Sequence, residues 1–171
     1  MRILKSIAIP LLSIALCGCG TKDYEAYPNI VLILIDTLRA DHVSCYGYDR
    51  ETTKAIDALS AEGWTFDQYI ASASQTVPST LSMLLSQYPA EHGVRHPYVG
   101  YFQENRPHFP DSMLFLAEVL SDAGYNTAGY MGNPILIEEN GFAQGFDEFM
   151  YSAGPDGLLT APAVKWMKKH L

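Results

Sequence analysis

The sequence predicts an α/β fold in which helices pack on a layered, mainly parallel sheet. A run of six apolar residues, Ile30–Ile35, ends abruptly at Asp36. An amphipathic helical pattern over residues 111–124 is followed at once by a strand-like segment over residues 125–132. Another helical pattern covers residues 52–63. Strands that alternate with helices in this order are typical of layered α/β domains.

The first apolar run is predicted to be a central strand of that sheet. Its residues are uniformly apolar and mostly β-branched, which favours a strand buried on both faces. Ligands of open α/β sheets bind beyond the carboxyl ends of the strands, so Asp36 stands where chemistry is expected. A turn or capping role is the alternative for Asp36.

The remaining elements are predicted from apolar spacing and from glycines at helix ends. Gly63 and Gly124 are placed to end helices, and Asp111 or Ser112 to cap one. In chain order we expect a helix over 52–63, a short strand over 64–72, a Pro-led helix from about Pro78 to Ser86, a helix over 111–124, a strand over 125–132 and a helix from residue 160.

The N-terminus is predicted to be a targeting segment. Residues 1–18 combine a basic start, an apolar stretch and small residues, as a signal peptide does. The end of this segment resembles a bacterial lipobox, with Leu16 and Gly18 before Cys19. We therefore expect cleavage before Cys19, a lipid on its thiol, and a tether over residues 19–27. This predicts a lipid anchor in the bacterial cell envelope, on the outer or periplasmic side; an ordinary signal peptide is the alternative.

Charge and cysteine content narrow the function classes. The formal net charge is −8, which argues against nucleic acid as a partner. An anionic substrate is still compatible, because a bound cation can reverse the local sign. Once Cys17 leaves with the signal and Cys19 carries lipid, only Cys45 remains. This leaves no internal disulfide and no cysteine-rich metal site, and Cys45 is interpreted as a small buried hydrophobe.

Thr76 lies just before the N-terminal end of the predicted Pro-led helix, in the stretch "SASQTVPSTLSMLL". A helix N-terminus attracts anions, because its free N–H groups and its dipole both favour negative charge. The Thr76 hydroxyl is therefore either a helix cap or a nucleophile.

Three stretches taken together resemble the sulfatase-like branch of the alkaline phosphatase superfamily: "NIVLILIDTLRADHVSCYGY", "TVPSTLSMLLSQYPAEHGV" and "GFAQGFDEF". The resemblance covers about residues 28–171. It implies a layered α/β sandwich around a mixed sheet, of which this region would be an N-terminal part, incomplete at its C-terminus. It also implies a divalent metal at the carboxyl ends of strands and a nucleophile at a helix N-terminus that attacks a sulfate or phosphate ester.

The resemblance assigns roles to two residues, and the position of the helix start suggests roles for two more. Asp36 matches the first metal-ligand carboxylate, and Thr76 matches the nucleophile, which also contacts the metal. The backbone N–H groups of Ser79 and Thr80, near the helix start, would bind the substrate's oxygens.

Three residues depart from the sulfatase pattern. Thr76 stands where sulfatases have a Cys or Ser that is oxidised to formylglycine, and a secondary alcohol would give a ketone instead of an aldehyde. An unmodified Thr can attack directly when a metal lowers its hydroxyl pKa, as in phosphodiesterase and phosphoglycerol-transferase branches. Thr37 and Thr80 replace an Asp and an Arg. The implied cofactor is Ca²⁺ for a sulfatase, or Mg²⁺, Mn²⁺ or Zn²⁺ for a phosphodiesterase.

Three functions follow as hypotheses. The first is a sulfatase-like, metal-dependent hydrolase of sulfuric or phosphoric esters. The second is a Thr-dependent phosphodiesterase or phosphotransferase on envelope substrates. The third is a truncated, non-catalytic lipoprotein fragment, because the family places further metal ligands, typically an Asp-His pair, later in the chain. His96 and Asn133 could approach the cleft, although an ordinary loop role is favoured for both.

Overall fold

The computed structural model describes residues 27–95, 109, 112–154 and 157–170. The chain divides into two units, residues 1–32 and residues 33–171. In the first unit, the described residues form no helix or strand and their side chains are exposed. The predicted signal peptide, Cys19 and nearly all of the tether lie outside the described residues. In the described part of the chain, no helix is long and apolar enough to cross a bilayer.

The second unit contains all of the helices in the described residues. They are α1 (Lys54–Glu62), α2 (Thr76–Leu85), α3 (Pro89–His92), α4 (Leu116–Asp122) and α5 (Gly157–His170), with 3₁₀ turns at Ala40–His42, Ser44–Tyr46 and Glu138–Asn140. The helix predicted over residues 52–63 is confirmed as α1. The Pro-led helix is confirmed as α2, which begins two residues earlier than predicted, at Thr76.

The described sheet has two parallel strands, β1 (Ala128–Met131) and β2 (Glu148–Tyr151). In their register, Ala128 pairs with Glu148 and Met131 with Tyr151. The first strand confirms the prediction over residues 125–132. The second lies in a segment rich in glycine and aromatic residues, for which the sequence pattern predicts no element.

The prediction of a central strand at Ile30–Ile35 is wrong for this structure. These residues form no strand, and their side chains are between 51% and 72% exposed. A strand buried on both faces needs neighbouring strands and covering helices, and none of the described residues supplies them here. The short strand expected over residues 64–72 is also absent, and Trp64 in that segment is 93% exposed.

Helix α4 begins later than its sequence pattern indicates. Asp111, one of the two expected caps, lies outside the described residues, and Ser112 precedes the helix by several residues. The structure caps the helix from within: the Glu118 carboxylate accepts a hydrogen bond of 2.8 Å from the Phe115 N–H. In a capping box, this is the hydrogen bond from the N-cap N–H to the side chain three residues later. It fixes the start of α4 next to the buried Phe115 ring.

The hydrophobic core packs one face of α2 against the segments around α4 and after β1. Its buried members are Val77, Leu81, Leu84, Leu85, Phe109, Phe115, Ile135, Leu136 and Phe142. Val77, Leu81 and Phe142 are fully buried. The core therefore fixes the start of α2 against the loop that follows β1.

Candidate functional site

Three side chains from distant parts of the sequence meet at one point. The Thr76 hydroxyl donates to the Asp36 carboxylate, with Oγ1 lying 3.2 Å from Oδ2 and 3.4 Å from Oδ1. The Asn133 amide donates to the same carboxylate, with Nδ2 lying 2.7 Å from Oδ2. The structure thus brings together Asp36 and Thr76, which the sequence paired, and adds Asn133, for which a loop role was favoured.

Asp36 lies in a turn, and the residue that follows it, Thr37, has a strained backbone conformation. Thr37 has a φ of 59°, in the left-handed region. A β-branched residue is a clear outlier there, at a cost of about 1–3 kcal/mol. This strained residue lies in the same turn as Asp36.

Replacing Thr37 by glycine is expected to raise the free energy of unfolding by about 1 kcal/mol, as measured by urea denaturation. Glycine adopts a positive φ without strain, which outweighs the extra freedom of the unfolded chain. Thr65→Gly is the matched control, since Thr65 has no positive φ and its replacement should lower stability. A Thr37→Gly variant less stable than the parent would show that the turn is not strained.

Thr76 is the first residue of α2 and does not act as its cap. The N-cap is Gln75, with extended backbone and no side-chain cap hydrogen bond. The Thr76 hydroxyl donates to Asp36 instead of accepting from a helix N–H. Because Val77 is fully buried, the half-buried Thr76 is held at the boundary between core and solvent.

The backbone donors at this helix end differ from those predicted. The Ser79 N–H donates to the Gln75 carbonyl at 3.2 Å, and the regular pattern of α2 pairs the Thr80 N–H with the Thr76 carbonyl. Both N–H groups are therefore used within the helix, which starts earlier than expected. The first-turn groups without an intrahelical partner are the N–H groups of Thr76 and Val77, because Pro78 has none.

Asn133 follows β1 and is oriented by its own loop. Its Oδ1 accepts a hydrogen bond of 2.9 Å from the Ile135 N–H. This contact leaves Nδ2 as the group that faces Asp36. The sequence signal that could have identified Asn133 is its position just past the carboxyl end of a parallel strand, the same criterion that singled out Asp36.

His92, the last residue of α3, forms a hydrogen bond with the C-terminal half of α2. Its Nδ1 accepts from the Val94 N–H at 3.2 Å, so Nε2 carries the proton and donates to Ser82 Oγ at 3.1 Å. The imidazole is 5% exposed. Burial lowers the pKa of His92 below its usual range, partly offset by the Pro78 carbonyl.

Stability is therefore expected to fall as the pH drops through the His92 range. The folded chain binds the His92 proton less readily than the unfolded chain does, so this contribution is present above the ordinary pKa of about 6.5 and is lost as the pH falls from there through the lowered pKa of the folded chain. Urea denaturation at pH 7.5 and 5.5 would measure it. His92→Gln should reduce the difference in unfolding free energy between the two pH values, and a difference as large as the parent's would contradict the prediction.

The oxygen atoms of this cluster fit part of a coordination shell for a hard divalent cation. Carboxylate, hydroxyl and amide oxygens are the ligands that Mg²⁺, Mn²⁺ and Ca²⁺ prefer. The Thr76–Asp36 separations of 3.2 and 3.4 Å are long for a hydrogen bond to a carboxylate. Neighbouring oxygen ligands lie about 2.9 Å apart around Mg²⁺ and about 3.4 Å apart around Ca²⁺, so the two separations fall within the range between these cations.

These residues would supply only part of a complete shell. Within the described ranges, no group of three or more His, Cys, Asp or Glu side chains is placed to hold a metal ion. Asp36 and Thr76 would provide two oxygen ligands, whereas such cations take six or more. His96, the other residue considered for the cleft, lies outside the described residues.

Comparison with known proteins agrees with this architecture. The sulfatase family model matches residues 28–167. The N-acetylglucosamine-6-O-sulfatase of Bacteroides thetaiotaomicron is 28% identical over 151 residues, which are 87% of this chain and 25% of the relative. Human arylsulfatase H is 33% identical over 111 residues, which are 60% of this chain and 19% of the relative. The chain thus spans about a quarter or less of the length of these relatives.

A solved structure shows the same fold. A protein from Bacteroides thetaiotaomicron assigned as a sulfatase superposes with a TM-score of 0.54 at 22% identity, over 65% of this chain and 22% of that chain. This confirms the predicted α/β, alkaline phosphatase-like fold class. Since the family model covers nearly all of the sequence after the predicted tether, the chain belongs to the sulfatase family.

Proposed function

We propose that this chain contributes the nucleophile side of a metal-dependent site that hydrolyses sulfuric or phosphoric esters. Thr76 is the nucleophile and Asp36 is a ligand of the divalent cation. The observation that carries the proposal is the contact of the Thr76 hydroxyl with the Asp36 carboxylate at the N-terminus of α2. The relatives named as sulfatases support the ester class.

Charge explains why such a site needs a cation. Asp36 alone would repel a sulfate or phosphate ester, because both are anionic. A divalent cation held by Asp36 and Thr76 would reverse the local charge and lower the pKa of the Thr76 hydroxyl. The N–H groups of Thr76 and Val77 would then hold a non-bridging oxygen of the ester at the positive end of α2.

The reaction proceeds in two displacements on the ester's central atom. Thr76 Oγ1 loses its proton and forms a bond to sulfur or phosphorus, while the bond to the leaving alcohol breaks and that alcohol takes up a proton. Water then attacks the same central atom, releases sulfate or a phosphate, and restores the Thr76 hydroxyl. An acceptor alcohol in place of water would make the second step a transfer.

The identity of the nucleophile favours phosphoric diesters as a second candidate. Thr76 cannot form the aldehyde that formylglycine chemistry requires, because its carbinol carbon carries a methyl group. A Thr-dependent phosphodiesterase or phosphotransferase on envelope substrates therefore uses the same residues without modification. A non-catalytic lipoprotein remains the third hypothesis.

The proposed location is the bacterial cell envelope. Lipid attached to Cys19 would hold the folded part near a membrane surface, with residues 19–27 as the tether. Metabolic labelling with a radioactive fatty acid tests this: label is expected in the parent and not in Cys19→Ser. Equal labelling of both would exclude Cys19 as the lipid site.

Hydrolysis of three esters by the full chain tests the activity. Aryl sulfate, aryl phosphate and bis-aryl phosphate are each assayed with Ca²⁺, Mg²⁺, Mn²⁺ or Zn²⁺, beside a chelator and Asp36→Ala. Cation-dependent hydrolysis that Asp36→Ala abolishes is the expected result, and the preferred ester separates a sulfatase from a phosphodiesterase. Absence of turnover in a folded chain with every ester and cation would overturn catalysis and leave the non-catalytic hypothesis.

A further inference from the structure

We infer that Asn133 is a positioning residue that fixes the Asp36 carboxylate in the orientation required to bind the cation. This inference rests on the proposed function, because it concerns the same site. It goes further by assigning a role to a residue outside both segments that supply the nucleophile and the ligand. Its chemistry is hydrogen-bond donation from a neutral amide to a carboxylate.

The hydrogen bond from Asn133 is the shortest side-chain hydrogen bond to the Asp36 carboxylate among the described residues. Nδ2 lies 2.7 Å from Oδ2, whereas the Thr76 hydroxyl lies 3.2 Å from the same oxygen. A donor at 2.7 Å is at the strong end of the range for hydrogen bonds to a carboxylate. Asn133 therefore restrains the Asp36 side chain more than Thr76 does.

The orientation of the Asn133 amide is itself fixed. Its Oδ1 accepts from the Ile135 N–H at 2.9 Å, so a flipped amide would turn its Nδ2 donor toward the Ile135 N–H and its Oδ1 acceptor toward the Asp36 carboxylate, and both contacts would be unfavourable. Ile135 and Leu136 are 7% and 5% exposed and belong to the core. The donor is thus held by a turn that is anchored in the same core as α2.

The two oxygens of the Asp36 carboxylate therefore have different hydrogen-bond partners. Oδ2 is occupied by the amide, and Oδ1 has only the long contact of 3.4 Å with the Thr76 hydroxyl. The Asn133 amide therefore restrains Oδ2 of Asp36, whereas Oδ1 is open to a hard divalent cation. Without the amide, the exposed carboxylate would keep only its long contacts with the Thr76 hydroxyl and would lose more conformational entropy on binding the cation.

The sharpest test replaces Asn133 by serine. The shorter hydroxyl can still accept from the Ile135 N–H, as Ser does in such turns, but it cannot reach Asp36. Mn²⁺ binding to the full chain is measured by isothermal titration calorimetry, with thermal unfolding recorded for each variant. Asn126→Ser is the matched control, because Asn126 is exposed and lies on the other side of β1 in the sequence.

Asn133→Ser is expected to weaken Mn²⁺ binding about 10–100-fold, with thermal unfolding close to that of the parent. Asn126→Ser should bind Mn²⁺ as the parent does. A purely structural role would instead lower the thermal stability of Asn133→Ser together with its Mn²⁺ affinity.

The outcomes separate this inference from the proposed function. Mn²⁺ affinity that is lost in Asp36→Ala but unchanged within about twofold in Asn133→Ser would overturn the positioning role alone. Parent and Asp36→Ala chains that bind Mn²⁺ equally, or a parent that does not bind it, would overturn the cation site and the inference with it.

Discussion

Turnover of the preferred ester is expected to fall at least about 1000-fold when Thr76 is replaced by alanine. The substitution removes the oxygen that attacks the ester and one of the two proposed oxygen ligands. Alanine is a better helix former than threonine, so α2 should still begin at this position. Initial rates at saturating cation and ester measure the loss.

Two further variants show whether the oxygen itself is responsible. Thr76→Ser keeps a hydroxyl at the same position and should retain measurable turnover. Ser79→Ala, one turn further along α2, should change the rate little, because the Ser79 N–H donates to Gln75 and is kept in the variant. If Thr76→Ala kept more than about a tenth of the parent's rate, Thr76 would not be the nucleophile.

Replacing Phe142 by alanine is expected to lower the free energy of unfolding by about 3–5 kcal/mol. The Phe142 side chain is 0% exposed, and its ring lies edge-on to Phe109 with the centroids 5.4 Å apart. Removing it leaves a cavity in the core next to Phe109. Urea denaturation followed by circular dichroism measures the change.

The control for this variant is an exposed ring of the same type. Phe66 is 66% exposed, and Phe66→Ala should change stability by about 0.5 kcal/mol or less. Phe142→Leu refills most of the volume and should cost about 1 kcal/mol, which keeps the comparison measurable if the alanine variant does not fold. A loss below about 1 kcal/mol in Phe142→Ala would show that the core is not packed around this ring.

Local sequence patterns predicted most helices and missed elements that depend on distant partners. The helix over residues 52–63 and the strand at residues 125–132 follow from spacing within the segment itself. Strand β2 follows a Gly-rich aromatic stretch and forms because β1 pairs with it. The run at Ile30–Ile35 shows the converse, since its apolar residues call for neighbours that the described residues do not provide.

The candidate site was predictable in its two named residues and not in its third. Asp36 and Thr76 lie 40 residues apart and were paired by family resemblance and by their positions at element ends. Asn133 lies 97 residues from Asp36, and an asparagine before a proline looks like an ordinary turn residue. Its contact with Asp36 depends on how the loop after β1 packs against the core. Local sequence patterns do not predict that packing.

Only one or two peptide units separate buried core residues from the polar residues of the candidate site. Val77 is fully buried and is the neighbour of Thr76, while Ile135 is buried two residues after Asn133. If either buried side chain shifts, the nearby polar side chain shifts with it, because so few backbone bonds lie between them. Selection for packing and selection for activity therefore act on the same few positions. In a library of random variants, we expect substitutions at Leu81 or Ile135 to reduce activity at temperatures where the chain is still folded.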